Sequence, residues 1–179
     1  MPGKTPYRAF SLHLASRPFD LITRAELFSI KGQQVEKRLS VTAVWDTGAT
    51  HSMITQETAR KLDLPIVDTG RVRGVNSSAI ADIVLLSIGL PNGVLIPDIR
   101  VIVSTLGGHE DMLIGMDIIR LGDFSISNAN NETLFSFAIP PFPDKIDLAA
   151  KSKTENRKNG WDGEIPSQWD NIEKTGSAL

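Results

Sequence analysis

The tripeptide Asp-Thr-Gly occurs twice in this chain of 179 residues, at Asp46-Thr47-Gly48 and at Asp68-Thr69-Gly70. A carboxylate beside a hydroxyl and a glycine can take or give a proton while the backbone stays close to a ligand. By chance, a given tripeptide turns up in roughly 2% of chains this long, so the motif alone is weak evidence. Whether either aspartate can act as a general acid or base therefore has to be inferred from the surrounding residues.

The first aspartate, Asp46, comes directly after a nearly all-apolar run, 41–45, that is typical of a strand covered on both faces. Small and hydroxyl-bearing residues, 47–50, follow it. This context predicts a carboxylate on a tight turn at the end of a buried strand, where a ligand can approach the backbone. Trp45 is expected in the core, since neighbours along a strand point to opposite faces.

The second aspartate, Asp68, has a different context. Pro65 precedes it, and Arg71 and Arg73 follow it. The pattern predicts an exposed loop that enters a hairpin. A two-lobed enzyme with one aspartate in each lobe would need well over about 100 residues between them, whereas Asp46 and Asp68 are 22 residues apart. They therefore cannot be the two halves of such a site.

Other chemistries fit Asp46 less well. A phosphoryl-accepting aspartate would call for Asp-x-Asp, but the second position is Gly48. His51 and Ser52 stand too close to Asp46 in sequence for the geometry of a hydrolytic triad. The three histidines of the chain form no helical His-x-x-x-His pair, and the cluster at 107–111 (GGHED) is interpreted as a solvated loop. We therefore predict neither a metal ion nor a cofactor.

The elements around these residues are predicted to be mostly strands. Apolar and polar residues alternate through 9–43, with a turn at Gly32, and turn signals at 76–78 and 92–93 predict two further hairpins. Thr55 is predicted to cap a short helix, and residues 116–121 to form two helical turns ending at Gly122. Two strands are predicted to flank the polar turn at 128–131.

Composition narrows the class of protein further. The net charge of −2 and pI near 5.9 provide no basic patch, so neither nucleic acid nor a membrane surface is an expected partner. The chain has no cysteine, which excludes disulfides and thiolate chemistry. No apolar run is long enough for a membrane span, and we expect a cytoplasmic protein. Residues 1–142 are predicted to form one domain, and 143–179, polar and non-periodic, a largely disordered tail.

Two motifs together carry a resemblance. Val44 to Thr50 (VWDTGAT), followed about 60 residues later by Leu113-Ile114-Gly115 before a helix, resembles the single-lobe, retropepsin-like aspartic proteases, particularly the retroviral-type enzymes of bacteria. The likeness covers roughly residues 9–142. It implies a closed, β-barrel-like retropepsin (acid protease) fold with one or two short helices. It also implies an aspartic endopeptidase that acts on peptide or protein substrates without a cofactor.

In this family each subunit supplies one aspartate, so the resemblance implies a homodimer with two copies of Asp46 face to face across a two-fold axis. Two carboxylates this close share one proton, as aspartic proteases are well known to do. One carboxylate then accepts a proton from a water molecule that attacks the peptide carbonyl, and the other acts as the acid. Asp46 would thus meet its own copy rather than Asp68.

The resemblance also implies supporting roles. Thr47 would brace the two loops across the dimer axis, Gly48 would leave room for the substrate, and Ala49 and Thr50 would continue the loop. Ile114 and Gly115 would pack beneath it. The flap that covers bound peptide would have its tip at Gly74, Val75, Asn76, Ser77 and Ser78. Viral enzymes have a glycine-rich tip there, and this chain departs from that pattern.

Two alternatives to an active protease stay open on the sequence. One is a catalytically idle dimer of the same fold that binds peptides or supports assembly. The other concerns the tail, in which Trp161 and Trp169 are compatible with an inhibitory or processed segment, or simply with two solvated aromatic residues. The unmodified Asp-Thr-Gly-Ala-Thr loop favours an active enzyme, because an idle module does not need it.

Overall fold

The computed structural model describes residues 6–32, 34–73 and 78–161. The described strands and helices, in chain order, are β1 (Arg8–Leu14), β2 (Leu21–Lys31), β3 (Gln34–Trp45), β4 (Met53–Thr55), α1 (Gln56–Lys61), β5 (Ile66–Arg73), β6 (Ser78–Gly89), β7 (Leu95–Ser104), β8 (Met112–Ile114), α2 (Met116–Ile119), β9 (Asp123–Ala129), β10 (Glu132–Ile139) and α3 (Leu148–Lys158). The predicted mostly β fold with short helices is confirmed.

The larger sheet closes on itself. Its strand order is β2-β3-β8-β4-β7-β6-β5, and a further pairing of β2 with β6 joins its two sides. Side chains along β2 alternate between buried and exposed, with Leu21, Ala25 and Leu27 facing inward, as expected of a strand with one covered face. The closed sheet predicted from the family resemblance is therefore present.

A smaller sheet, in the order β1-β10-β9, supplies the aromatic part of the core. Trp45, at the end of β3, lies among Phe10, Phe124, Phe135 and Phe137, with ring centroids between 4.8 and 6.1 Å from its own. Offset and edge-on aromatic pairs of this kind add about 0.5–1.5 kcal/mol each to the burial of their area. The strand that ends at Asp46 is thus anchored by the side chain immediately before it, as predicted for Trp45.

Local signals account for the turns between strands. Gly32 and Gly93 have positive φ angles, and so do Asn130 and Asn131, which is the conformation that a two-residue hairpin turn requires. A bulge lies opposite Ser87, where β7 contains Pro97 and the register shifts. Pro97 has no amide hydrogen to donate to a neighbouring strand, which accounts for the interruption of the pairing at this point.

The first two helices, α1 and α2, are short. Helix α1 begins after Thr55, whose side chain accepts a hydrogen bond from the Thr58 amide, so the predicted cap is confirmed. Helix α2 has four residues rather than the two turns predicted. The Gly122 amide bonds only to the carbonyl of Ile119, which is consistent with a helix that stops early and turns into β9.

The chain divides into two compact units after Phe142. The second unit contains α3, a helix of 11 residues without buried side chains, in a segment for which we expected no regular structure. Asp147 caps it by accepting hydrogen bonds from the amides of Ala149 and Ala150, and alanine and lysine favour its interior. Among the residues that the structure describes, no helix is long and apolar enough to cross a membrane.

Candidate active site

Parallel pairing of β3 with β8 brings the two sequence motifs together. Trp45 is in register with Ile114, and the Asp46 amide donates to the Ile114 carbonyl at 2.9 Å. The loop that starts at Asp46 therefore lies directly beside Gly115, although nearly 70 residues separate them in the chain.

Hydrogen bonds within the loop fix the carboxylate of Asp46. The Gly48 amide donates to Asp46 Oδ1 at 2.7 Å, and the Ala49 amide donates to the Asp46 carbonyl at 3.3 Å. This arrangement is an Asx turn, which orients the side chain through its own backbone. Asp46 and Ala49 are half-buried, whereas Thr47, Gly48 and Thr50 are exposed, so the carboxylate stands at the surface on a defined turn.

Gly115 passes so close to this loop that no side chain fits. A Cβ atom there would lie 2.7 Å from the backbone carbon of His51 and 2.9 Å from the carbonyl oxygen of Ala49. That same carbonyl accepts a hydrogen bond from the Met116 amide at 2.8 Å. Ile114, before it, is fully buried. Ile114 and Gly115 therefore both lie against the loop that starts at Asp46.

Hydrogen bonds that we did not predict stabilise the end of the Asp46 loop at Ser52. The buried Ser52 donates from its hydroxyl to Asp117 Oδ1 at 2.7 Å and from its amide to Asp117 Oδ2 at 2.8 Å. The same hydroxyl accepts from the Gly115 amide at 3.0 Å. We call Ser52 and Asp117 the loop clamp. Its one local signal in the sequence is the acid in the first turn of α2, a position that favours negative charge.

Asp46 opens onto a cleft of about 810 Å³. Its walls come from residues before β2, the carboxyl end of β3, the loop between β7 and β8, and β9 with β10. The ionisable side chains that line it are Arg17, Asp20, Asp46 and Glu110. Phe19 lies fully exposed at the rim. A volume of this size lies within the range that is usual for clefts that bind ligands.

Asp68 lies elsewhere and has a different partner. It belongs to β5 rather than to the exposed loop that we predicted, because β5 pairs with β6 from Ile66 onward across a bulge. The Thr69 amide donates to Asp68 Oδ1 at 2.8 Å, and Arg100 pairs with Oδ2 at 2.5 Å. These two contacts, the backbone one first, lower the pKa of Asp68. Asp68 is a surface ion-pair residue of the sheet.

The hairpin proposed as a flap is formed by β5 and β6. Arg73 is in register with Ser78, and Val72 with Ala79. Ser78 starts β6 and is exposed, and so is Ile80. The other residues of the predicted tip, Gly74, Val75, Asn76 and Ser77, lie outside the described residues.

The sequence matches one family model, described as the gag-polyprotein putative aspartyl protease, over residues 32–121. No curated protein gives a significant match.

Among solved structures, one similar chain is a retropepsin-like aspartic protease from Rickettsia conorii, with 18% identity, 75% of this chain and 96% of that chain covered, and a TM-score of 0.48. Another is the simian foamy virus (mac) protease, with 18% identity, 56% and 92% covered, and a TM-score of 0.38. A third is the retroviral protease-like domain of Ddi1 from Leishmania major, with 19% identity, 66% and 95% covered, and a TM-score of 0.38.

Proposed function

The chain belongs to the gag-polyprotein putative aspartyl protease family, and we propose that it is an aspartic endopeptidase that works as a homodimer. The observation that carries the proposal is the position of Asp46. It stands on an Asx turn at the end of a buried strand and opens onto a cleft of about 810 Å³. An acid that must meet a substrate needs this combination of fixed orientation and access.

The hydrogen bonds of Asp46 leave one of its oxygens for chemistry. Oδ1 accepts from the Gly48 amide, while in the described part of the chain Oδ2 accepts no hydrogen bond from the protein. Oδ2 can therefore accept a hydrogen bond from a water molecule or from a second, protonated carboxyl group. The loop clamp and Gly115 hold the loop itself in place.

A second carboxylate would come from a second copy of the chain. Asp68 is engaged with Arg100 on the surface of the sheet, so within one chain it does not complete a pair. A two-fold axis beside Asp46 would place two copies of this residue face to face. They would share one proton, because two ionised carboxylates in contact repel each other strongly.

The reaction follows from that pair. The ionised carboxylate accepts a proton from a bound water molecule, and the water oxygen forms a bond to the peptide carbonyl carbon. The protonated carboxyl group donates its hydrogen bond to the developing oxyanion. The carbon–nitrogen bond then breaks, and the leaving nitrogen takes a proton from the dyad.

The residues around Asp46 would support this chemistry. Exposed Thr47 would brace the two loops across the axis, and Gly48, where a Cβ atom would lie 3.1 Å from Asp46 Oδ1, leaves the carboxylate accessible. Ala49 and Thr50 would hold the loop on α2 through their carbonyls. The β5–β6 hairpin, with its tip at 74–78, would cover the bound peptide and exclude water.

The test uses a library of peptides and two matched variants. Asp46→Asn is expected to reduce kcat/KM by about 10²–10⁴-fold, the usual contribution of a general acid or base. Asp68→Asn carries the same change in the other Asp-Thr-Gly and is expected to keep wild-type cleavage. The wild type is also expected to have a dimeric mass in solution, measured by sedimentation equilibrium.

Three results would contradict the proposal. An equal loss of kcat/KM in both variants would show that cleavage does not depend specifically on Asp46. An active monomer would contradict a mechanism that needs two copies of Asp46. A dimer that binds peptides without cleaving any of them would favour the idle peptide-binding module instead.

A further inference from the structure

The loop between β7 and β8 places an acidic side chain in the cleft. Glu110 lines the cleft together with Asp46, and it is half-buried. A peptide that fills this cleft would therefore lie beside both Asp46 and Glu110.

The carboxylate of Glu110 lies against Gly108. It occupies the space that a Cβ atom on Gly108 would need, so a side chain at 108 would push it away. Within the described residues no ion pair or side-chain hydrogen bond engages Glu110. No described residue therefore competes with a ligand for this carboxylate.

The charges that line the cleft are unequal. Asp20 and Glu110 are acidic, and Arg17 is the one basic side chain among the described residues that line the cleft, while the Asp46 pair of the proposed dimer would carry one negative charge for two copies. Because a cleft lined by one sign of charge raises the local concentration of the opposite sign, a cationic peptide is favoured over a neutral one. A half-buried carboxylate gains more from such a partner than a fully solvated one does.

We propose that Glu110 selects substrates with a lysine or arginine side chain in the segment held by the cleft. The proposal rests on the proposed endopeptidase function and adds a substrate class to it. Glu110 is a specificity residue in this scheme, and the bond-breaking chemistry stays with Asp46.

The experiment compares pairs of peptides that differ at one position, lysine in one and the uncharged norleucine in the other, scanned over four positions on each side of the cleaved bond. The wild type is expected to prefer lysine in kcat/KM by roughly fivefold at one or more positions, the upper range for a partly exposed ion pair. Glu110→Gln is expected to abolish this preference, so that the ratio of kcat/KM for the lysine peptide to kcat/KM for the norleucine peptide falls to about one. Added salt is expected to weaken the preference.

Glu36→Gln is the matched control. Glu36 lies near the start of β3, far along the strand from Asp46, and pairs with Lys31 at the surface, so its loss is expected to leave the lysine preference intact. Absence of a preference in the wild type, or its persistence in Glu110→Gln, would overturn the inference while leaving the protease function standing.

Binding separates the two proposals if no peptide is cleaved. The same peptides, labelled with a fluorophore, are titrated with wild type and with Glu110→Gln, and Kd is measured by anisotropy. A lysine preference that Glu110→Gln removes supports the role of Glu110 even without turnover. Equal Kd values for both peptides would refute it.

Discussion

Replacing Ser52 by alanine tests whether the loop clamp holds the Asp46 loop onto α2. The Ser52 hydroxyl donates to a carboxylate oxygen of Asp117 and accepts from the Gly115 amide, and Ser52 is fully buried. A hydrogen bond to a charged group contributes about 1.5–3 kcal/mol, and a buried amide left without a partner costs about 1–3 kcal/mol. Since these effects overlap, we expect Ser52→Ala to lower the free energy of unfolding by about 2–4 kcal/mol.

The assay is urea unfolding followed by tryptophan fluorescence, at one protein concentration because association with a partner stabilises a dimer. Ser136→Ala is the matched control. Ser136 bonds to Ser11 at 2.9 Å on the exposed side of the small sheet, so its loss is expected to cost only about 0.5–1.5 kcal/mol, as for a neutral hydrogen bond.

A double-mutant cycle gives the pairwise part of the effect. Ser52→Ala combined with Asp117→Ala is expected to cost about 0.5–3 kcal/mol less than the sum of the single changes, because the two residues share the same contacts. If Ser52→Ala destabilises no more than Ser136→Ala, or if the two changes at the loop clamp add fully, the reasoning is refuted.

Two further predictions concern Gly115 and Asp68. Gly115→Ala is expected to lower the free energy of unfolding by about 1–3 kcal/mol, the usual cost of overpacking, because its Cβ atom would meet backbone atoms. Gly107 has open space around it, so Gly107→Ala is expected to leave the free energy of unfolding nearly unchanged. Equal effects of the two changes in urea unfolding would contradict the explanation from packing. The pKa of Asp68 is lowered in the fold, first by the Thr69 amide and then by Arg100. The stability that Asp68 contributes is therefore present above the unfolded-state pKa of about 4 and is lost as the pH falls through the lower pKa of the folded state. In an NMR titration Arg100→Gln is expected to raise the pKa of Asp68 part of the way, and no change would show that the ion pair has no part in the shift.

The features that the sequence predicts well depend on nearby residues. The cap at Thr55, the turns at Gly32 and Asn92-Gly93, and the buried strand before Asp46 each follow from a few adjacent side chains and their backbone preferences. The adjacency of Gly115 to the Asp46 loop was expected only from the paired motifs of a known family, since no local rule gives the parallel pairing of β3 with β8.

The features that the sequence does not give depend on distant partners. Ser52 and Asp117 are 65 residues apart, so neither residue type signals the loop clamp until the fold brings them together. Asp68 looked like a loop residue because Pro65 and two arginines surround it, but pairing with β6 outweighed that local preference. Helix α3 was missed because its signal is a cap at Asp147 and good helix formers rather than an apolar stripe.

The closure of the larger sheet also sets an order of events during folding. Three residue pairs join β2 to β6, from Glu26 with Gly89 to Phe28 with Ser87. The partners are roughly 60 residues apart in the chain, so bringing them together costs conformational entropy before the stabilising contacts form. The β2–β3 hairpin, with partners near one another, needs no such search. We therefore expect the β2–β3 hairpin to form before the ring closes, so that a chain that has formed the hairpin alone does not yet have a closed sheet.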